Sequence, residues 1–417
     1  MMPKEAYLED TLVRNWLELW SLDPTVTFLN HGSFGACPIK VLEAQQKLRS
    51  RLEHEPVRFF EREFEQLLDE SREELARFVG ADTEDLVFVP NATTGVNAVL
   101  RSLAYNSPSG SSVIFQPGDE LLTTDQEYNA CRNALDFVAS CTGARIVVAT
   151  VHFPIESPDR IVETVLEKVS PRTKLVLLDH ITSKTGLIFP IQQLVSELKK
   201  RGIDTLIDGA HAPGMLSLNL RDIGATYYAG NCHKWLCAPK GAAFLYVEKS
   251  KQSEIRPLTI SHGANSPRTD KSRFHLEFDW MGTDDPTAYM CVAESIRFMG
   301  SLLAGGWPEL MQRNRTMVLE ARKMLCDKLG IMPPCPDEMI GSLAVVPLPD
   351  DSHLYQDGEQ PPGMTALQDA LFKWFNIEVP VFYWPAFPKQ MMRISAQLYN
   401  TPMQYEYLAQ SLNELIA

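Results

Sequence analysis

Asp208 closes a short apolar run, Thr205–Ile207, and is followed by Gly209, Ala210 and His211. Lys234 follows a second run, Tyr227–Ala229, by way of Asn231, Cys232 and His233. Short apolar runs that stop at turn residues read as buried strands. In open α/β sheets the strand ends are where ligands bind. One rim of a sheet therefore receives an acid and a primary amine. An amine kept uncharged by partial desolvation can attack a carbonyl and hold it covalently. A buried carboxylate can keep a pyridine nitrogen protonated by charge pairing. Pyridoxal 5'-phosphate offers both groups. The pair is read as its site, with Lys234 carrying the cofactor as an imine and Asp208 pairing with its ring nitrogen.

Seven apolar runs could build the supporting sheet: Leu86–Val89, Glu120–Thr124, Ala144–Val151, Lys174–Asp179, Thr205–Ile207, Tyr227–Ala229 and Ala242–Val247. Helical periodicity fills most of the gaps, as over Pro158–Val169 and Ile191–Lys200. The alternation predicts an α/β fold with a doubly wound sheet. Upstream, the pattern predicts a helix over Glu9–Leu22, a short strand over Thr27–Asn30 and a long amphipathic helix over Val41–Phe78. Asn91, Thr93 and Thr94 are N-cap types ahead of an apolar-periodic helix. A helix start offers free N–H groups and a positive dipole end, which suits a phosphate. Helical sequence over Ala288–Leu329 breaks near Gly305 and Gly306. Residues Pro349–Gly363 read as a mobile polar excursion. Met391–Leu398 alternates, with Arg393, Ser395 and Gln397 on one face.

The chain has 417 residues, 45% of them hydrophobic and 22% charged, enough for a sizeable core. A net charge of -14 without a basic stripe argues against a nucleic-acid partner and suits an enzyme of small metabolites. No apolar run reaches the length of a membrane span. The first residues, MMPKEAYLED, lack the apolar core of a signal peptide. Eight scattered cysteines read as reduced thiols of a cytoplasmic protein.

The segments DGAHAPG and GNCHKW closely resemble the aminotransferase class V group of fold-type-I pyridoxal-phosphate enzymes. The nearest branch looks like the isopenicillin N epimerase-like proteins, relatives of the cysteine desulfurases, and FDWMGTDD carries a pattern typical of that branch. The resemblance runs from about Phe28 to about Asn400. It implies a large domain, residues 27–287, with a seven-stranded, mostly parallel sheet between helices. A smaller α+β C-terminal domain would span 288–417, and a helical segment, 1–26, would pack on it. It also assigns roles. Thr93 and Thr94 would bind the phosphate, with Asn231 and His233 holding it near Lys234. Tyr128 would stack on one face of the ring and Ala210 would lie against the other. His211 would reach the phosphate or the ring hydroxyl, and Ser183, with His180, would face the cofactor from the next loop. Arg393 would grip the substrate α-carboxylate, for which a planar guanidinium fork is suited. The NHGSFG turn would bring His31 to the substrate side. Thr283 would reach the phosphate of the neighbouring subunit, which implies a homodimer with shared active sites.

One feature of the desulfurases is missing. The stretch IEVPVFYWPAFPKQ has no cysteine where those enzymes carry a reactive one, and Cys335 sits between prolines further upstream. Phe382, Tyr383 and Trp384 offer an aromatic wall instead. The expected activity is therefore at the α-carbon of an amino acid or small peptide, as an epimerase or C–S lyase, with class V transamination as the alternative. Lys234 would act as general base once its amine is freed. A different class, a metal-dependent hydrolase, could use Asp179, His180, Asp208, His211 and His233. It leaves Lys234, the helix start at Thr93 and Arg393 unexplained, so no metal is assigned.

Overall fold

The computed structural model describes residues 16–104, 115–350 and 365–416. Half of the helix expected over Glu9–Leu22 and most of the excursion expected over Pro349–Gly363 lie outside the described residues.

Seven strands form the main sheet: β1 (Leu86–Val89), β2 (Glu120–Thr124), β3 (Arg145–Ala149), β4 (Thr173–Asp179), β5 (Asp204–Asp208), β6 (Tyr227–Asn231) and β7 (Ala243–Val247). Their order is β1-β7-β6-β5-β4-β2-β3. Only β7 runs antiparallel to its neighbours. The sequence explains the two-sided burial. Side chains alternate across a strand. Val87, Leu175, Leu177 and Leu206 thus enter one core, while Leu86, Phe88, Val176, Leu178 and Ile207 enter the other. Both faces are covered, as parallel sheets require.

The helix expected over Val41–Phe78 is broken in two. Helix α1 (Ile39–His54) stops before Pro56, and α2 (Phe64–Val79) resumes after a widened turn over Phe59–Glu63. Proline has no N–H to give to the preceding turn, and its ring clashes there. The offset turns Phe60 and Phe64 onto Trp280, at ring-centroid distances of 5.5 and 5.7 Å. Helix α3 (Ala92–Ala104) follows β1, and α4 (Asn129–Thr142) follows β2.

A second, antiparallel sheet contains β8 (Leu343–Leu348), β9 (Val381–Tyr383) and β10 (Gln390–Ser395), in the order β9-β10-β8. The strand expected over Thr27–Asn30 is two residues long and pairs with Ile377–Glu378 rather than with the main sheet. Among the described residues no helix is long and apolar enough to cross a membrane.

Register delivers the site. Asp179 at the end of β4 pairs with Asp208 at the end of β5, and Asp208 pairs with Ala229 on β6. Lys234 leaves β6 three residues after Asn231. The C-terminal ends of three adjacent parallel strands thus place two acids and one amine on one rim.

Candidate active site

At that rim lies a cavity of about 390 Å³. Lys234, His211 and His233 line it on one side, and Asp208, Asp179 and Ala210 line the strand ends. Asn91, Ala92 and Thr93 contribute the start of α3, while Tyr128, Ser183, Asn231, Ser33 and Phe34 complete the wall.

Lys234 Nζ lies 3.0 Å from His211 Nε2. Burial, then the Arg393 guanidinium, lowers its ammonium pKa from 10.5 to about 8. Lys240, six residues further along the chain, is exposed and donates to the Gly35 carbonyl at 2.9 Å. Burial drives His211 well below its ordinary value, with the charges of Lys234 and Arg393 acting the same way. His233 is lowered to about 4 by burial, and its Nδ1 lies 3.1 Å from the Ala242 carbonyl.

Both oxygens of Asp208 are held. Ala210 N–H donates to Oδ1 at 2.9 Å, and the Cys131 thiol donates to Oδ2 at 3.0 Å. The Glu127 carboxyl belongs to the same cluster: donor atoms of Glu127, Cys131 and Asp208 lie within 4.8 Å of one another. Burial, then the Asp208 carboxylate, pushes Glu127 well above the usual carboxylate range. Asp179 is raised by burial, then by Glu127 and Asp208. Glu127 Oε1 and Asp179 Oδ2 have no hydrogen-bond partner. The rim therefore holds three crowded carboxyls, of which two are driven towards the neutral acid.

The start of α3 is organised by Asn91. Its Oδ1 accepts from Thr94 N–H at 2.8 Å and from the Thr94 hydroxyl at 3.0 Å. Thr94, expected as a phosphate ligand, is thus turned into its own helix cap and does not line the cavity. Thr93 does line it. Asn231 Oδ1 accepts from Ala92 N–H at 2.8 Å, which ties the end of β6 to this helix start.

Arg393 on β10 is 6% exposed and does not itself line the cavity. Its Nη2 donates to Ser33 Oγ at 2.9 Å and its Nη1 donates to the Ser183 carbonyl, so two wall residues orient it. Burial lowers its pKa to about 10.

His31, expected on the substrate side, is placed elsewhere. It is fully buried, with Nδ1 2.8 Å from the Tyr399 hydroxyl and Nε2 3.1 Å from the Lys234 carbonyl. The turn that carries it packs against the lysine backbone. A Cβ on Gly35, at φ +71°, would lie 2.2 Å from the His233 carbonyl oxygen. His180 turns away, with Nδ1 2.8 Å from the Tyr228 hydroxyl. Thr283 is exposed on its loop and lies outside the cavity. Of the Asp/His set expected of a hydrolase, Asp179, Asp208, His211 and His233 line the cavity and His180 does not, but among the described residues their ligand atoms do not gather within 4.8 Å as those of Glu127, Cys131 and Asp208 do.

Glu127, Cys131 and Trp235 were not foreseen. Glu127 lies two residues before α4 and Cys131 in its first turn, so both fall on the face of the helix entrance that meets Asp208. That face became meaningful only once the sheet set Asp208 beside it.

The donor set fits pyridoxal phosphate. An amine of lowered basicity suits its aldehyde. A carboxylate with both oxygens anchored suits its ring nitrogen. The first turn of a 13-residue helix suits its phosphate.

Comparison with known proteins agrees. Residues 35–316 match the aminotransferase class-V family. An isopenicillin N epimerase of Amycolatopsis lactamdurans is 34% identical, over 96% of this chain and 98% of that protein. A protein of Arabidopsis thaliana named probable L-cysteine desulfhydrase, chloroplastic, is 30% identical over 94% of this chain and 84% of that one. In fold, the chain is similar to the cysteine desulfurase CsdA of Escherichia coli, with a TM-score of 0.75 at 18% identity over 97% of this chain and 98% of that one. Cavity chemistry, sheet order and relatives lead to one assignment: the chain belongs to the aminotransferase class-V family of pyridoxal-phosphate enzymes.

Proposed function

We propose that the protein removes the α-proton of an amino acid, or of a small peptide with a free amino-acid end, and resolves the product by epimerisation or by cleavage of a β C–S bond. The observation that carries this reading is the Lys234 amine, lowered to about 8 and lining the cavity that Asp208 and Tyr128 also line. Bound there, pyridoxal phosphate would supply an aldehyde for the substrate amine and a protonated ring to accept the electron pair released at the α-carbon. Thr93, through its hydroxyl and its own N–H at the start of α3, would hold its phosphate, with Asn231 and His233 beside it. Asp208 would keep its ring nitrogen protonated. Tyr128 and Ala210 would flank its ring, and His211 and Ser183 would contact its edge. Lys234 Nζ would take the α-proton as general base.

Arg393 would fix the α-carboxylate. Two of its five N–H donors are committed to Ser183 and Ser33, which leaves others for a ligand. Arg393→Lys should raise KM roughly 10–100-fold, since hydrogen bonds to charged groups contribute about 1.5–3 kcal/mol each, while kcat changes much less. Steady-state kinetics on the holoenzyme checks this; equal loss in both parameters would remove Arg393 from carboxylate binding.

Persulfide chemistry is not part of this reading. Among the described residues no cysteine lines the cavity. Cys335 is buried, accepts from Arg322 Nη1 at 3.3 Å, and is pushed by burial up to about 11. The relatives named for epimerisation and for cysteine desulfhydration support the two outcomes proposed. All eight cysteines are unpaired, which suits a reducing compartment such as the cytoplasm.

The test is mass spectrometry of holoenzyme reactions in heavy water. The panel holds L-amino acids, cysteine-conjugate sulfoxides and small peptides with a free amino-acid end. Deuterium at Cα with loss of chirality supports epimerisation. Keto acid with ammonia and a sulfur fragment supports C–S cleavage. Keto acid without ammonia would overturn both in favour of transamination.

The exposed Thr283 supports a homodimer in which this threonine serves the neighbouring site. Thr283→Glu and Lys234→Ala proteins, each inactive alone, should regain activity when dissociated and reassembled together. A fully active monomer in sedimentation would defeat the shared-site reading.

A further inference from the structure

Trp235 follows Lys234 directly, is fully buried, and has no part in the reading above. Its indole Nε1 donates to His211 Nδ1 at 3.3 Å. On the other side of the ring, His211 Nε2 lies 3.0 Å from Lys234 Nζ. The three groups form a chain whose polarity follows from their chemistry.

An indole N–H can only donate. His211 Nδ1 must then be the acceptor and carry no proton. A neutral imidazole has one ring proton, so it falls on Nε2. Nε2–H is a donor and needs a lone pair opposite. An ammonium has three donors and no lone pair, whereas a free amine has one. The chain of contacts is therefore satisfied only when Lys234 is uncharged.

We propose that Trp235 is a positioning residue: by fixing the His211 tautomer it favours the free-amine form of Lys234, the form that captures the cofactor carbonyl. The inference rests on the reading of Lys234 as the attachment point.

Independent features support it. The indole is itself fixed, with the His31 ring against it at 4.9 Å between centroids. His31 is pinned in turn by Tyr399 and by the Lys234 carbonyl. A buried tryptophan has no freedom to follow a changed tautomer, so the donor stays aimed at Nδ1. The charges around the pair act in both directions. Arg393 disfavours a charged Lys234, while Asp208, Asp179 and Cys131 favour it. Lys234, Arg393, His233 and His31 all disfavour a charged His211. A neutral His211 is thus expected across the working range, and its tautomer decides what Lys234 meets.

The same geometry gives His31 a purpose. It was expected near substrate, yet it buttresses the indole and the lysine backbone from behind.

The test begins with the native apoenzyme labelled with nitrogen-15 histidine. Nuclear magnetic resonance reports which ring nitrogen of His211 carries the proton, with His211→Gln used for assignment. The expected result is a neutral ring protonated at Nε2. Protonation at Nδ1, or an imidazolium at neutral pH, would overturn the proposal. The second measurement is the rate at which the apoenzyme captures pyridoxal phosphate, read as the borohydride-trapped mass at a series of pH values. The native rate should rise with a midpoint near the lysine value of about 8. In Trp235→Phe the Nδ1 donor is gone, the ring can adopt the other tautomer, and Nε2 can accept from an ammonium. The midpoint should move up by about one pH unit, roughly tenfold slower capture at neutral pH. An unmoved midpoint in a folded Trp235→Phe protein would overturn the proposal, and if that variant fails to fold the tautomer measurement decides alone. Trapped cofactor in a Lys234→Ala control would instead show that the attachment point was misread, a failure distinct from that of the relay.

Discussion

Lys234→Ala should give a folded protein that binds pyridoxal phosphate without a covalent link and turns substrate over at least about 10³-fold more slowly. Two losses combine. The variant has no amine to hold the aldehyde, and none to take the α-proton. Because a general base alone contributes about 10²–10⁴-fold, retention of more than a tenth of the activity would assign the proton transfer to another group. Absorbance of the bound cofactor and exchange of the Cα proton in heavy water measure the two losses separately.

The same lysine should carry a stability cost that a second substitution exposes. Its pKa falls from 10.5 to about 8 in the folded protein. Below about pH 8 the lysine is charged in both states, and the folded state bears the full cost of burying it, about 3 kcal/mol. Between about 8 and 10.5 the unfolded chain binds the extra proton, so stability rises with pH across that window. Lys234→Met keeps the length and removes the charge. The apo variant should therefore melt higher than the native apoenzyme at pH 7, with the gap closing as pH approaches 10.5. A gap that is absent at pH 7, or that does not change with pH, would mean that burial does not disfavour the lysine charge.

Much of this site can be read from the sequence because it is built on strand ends. Thr205–Ile207 and Tyr227–Ala229 are short, apolar and closed by turn residues, and the observed strands begin and end within one or two residues of them. A run buried on both faces has little freedom in where it stops, so Asp208 and Lys234 are placed by the local pattern alone. Other residues depend on partners far along the chain. His31 looks like a turn residue near substrate until Tyr399, 368 residues later, and the Lys234 carbonyl claim its two nitrogens. Thr94 is a good phosphate ligand by type, but Asn91, three residues earlier, offers it a nearer acceptor. A local cap competes with a ligand for the same donors, and spacing alone does not say which wins. The break after His54 was visible in Pro56, yet the apolar periodicity on both sides outweighed it. Periodicity reports which face is buried, and that face survives a break in the helix.

Asp208→Ala should lower kcat by about 10²–10³-fold while the link to Lys234 still forms. Its carboxylate lies with one oxygen on Ala210 N–H and the other on the Cys131 thiol, so removing it deletes the charge that would stabilise a protonated ring nitrogen. Asp208→Asn should be no better. Ala210 N–H requires an acceptor, so the amide oxygen must face it and the NH2 group takes the place of Oδ2 beside the Cys131 thiol, where it has no charge or lone pair to offer a protonated nitrogen. The neighbouring acids decide how deep the loss goes. Asp208 is one cause of the raised pKa of Glu127, and the two side chains lie within 4.8 Å. Once Asp208 is gone, Glu127 loses that repulsion and can ionise closer to neutral pH, supplying part of the missing charge. Glu127→Gln in the native background swaps one neutral group for another and should cost far less than Asp208→Ala. Combined with Asp208→Ala it should cost roughly a further tenfold, because the substitute charge is then removed. Heavy-water exchange at Cα across the four proteins gives the cycle directly. Simple multiplicativity would mean that Glu127 never takes the charge, and native kcat in Asp208→Ala would remove Asp208 from the ring nitrogen altogether.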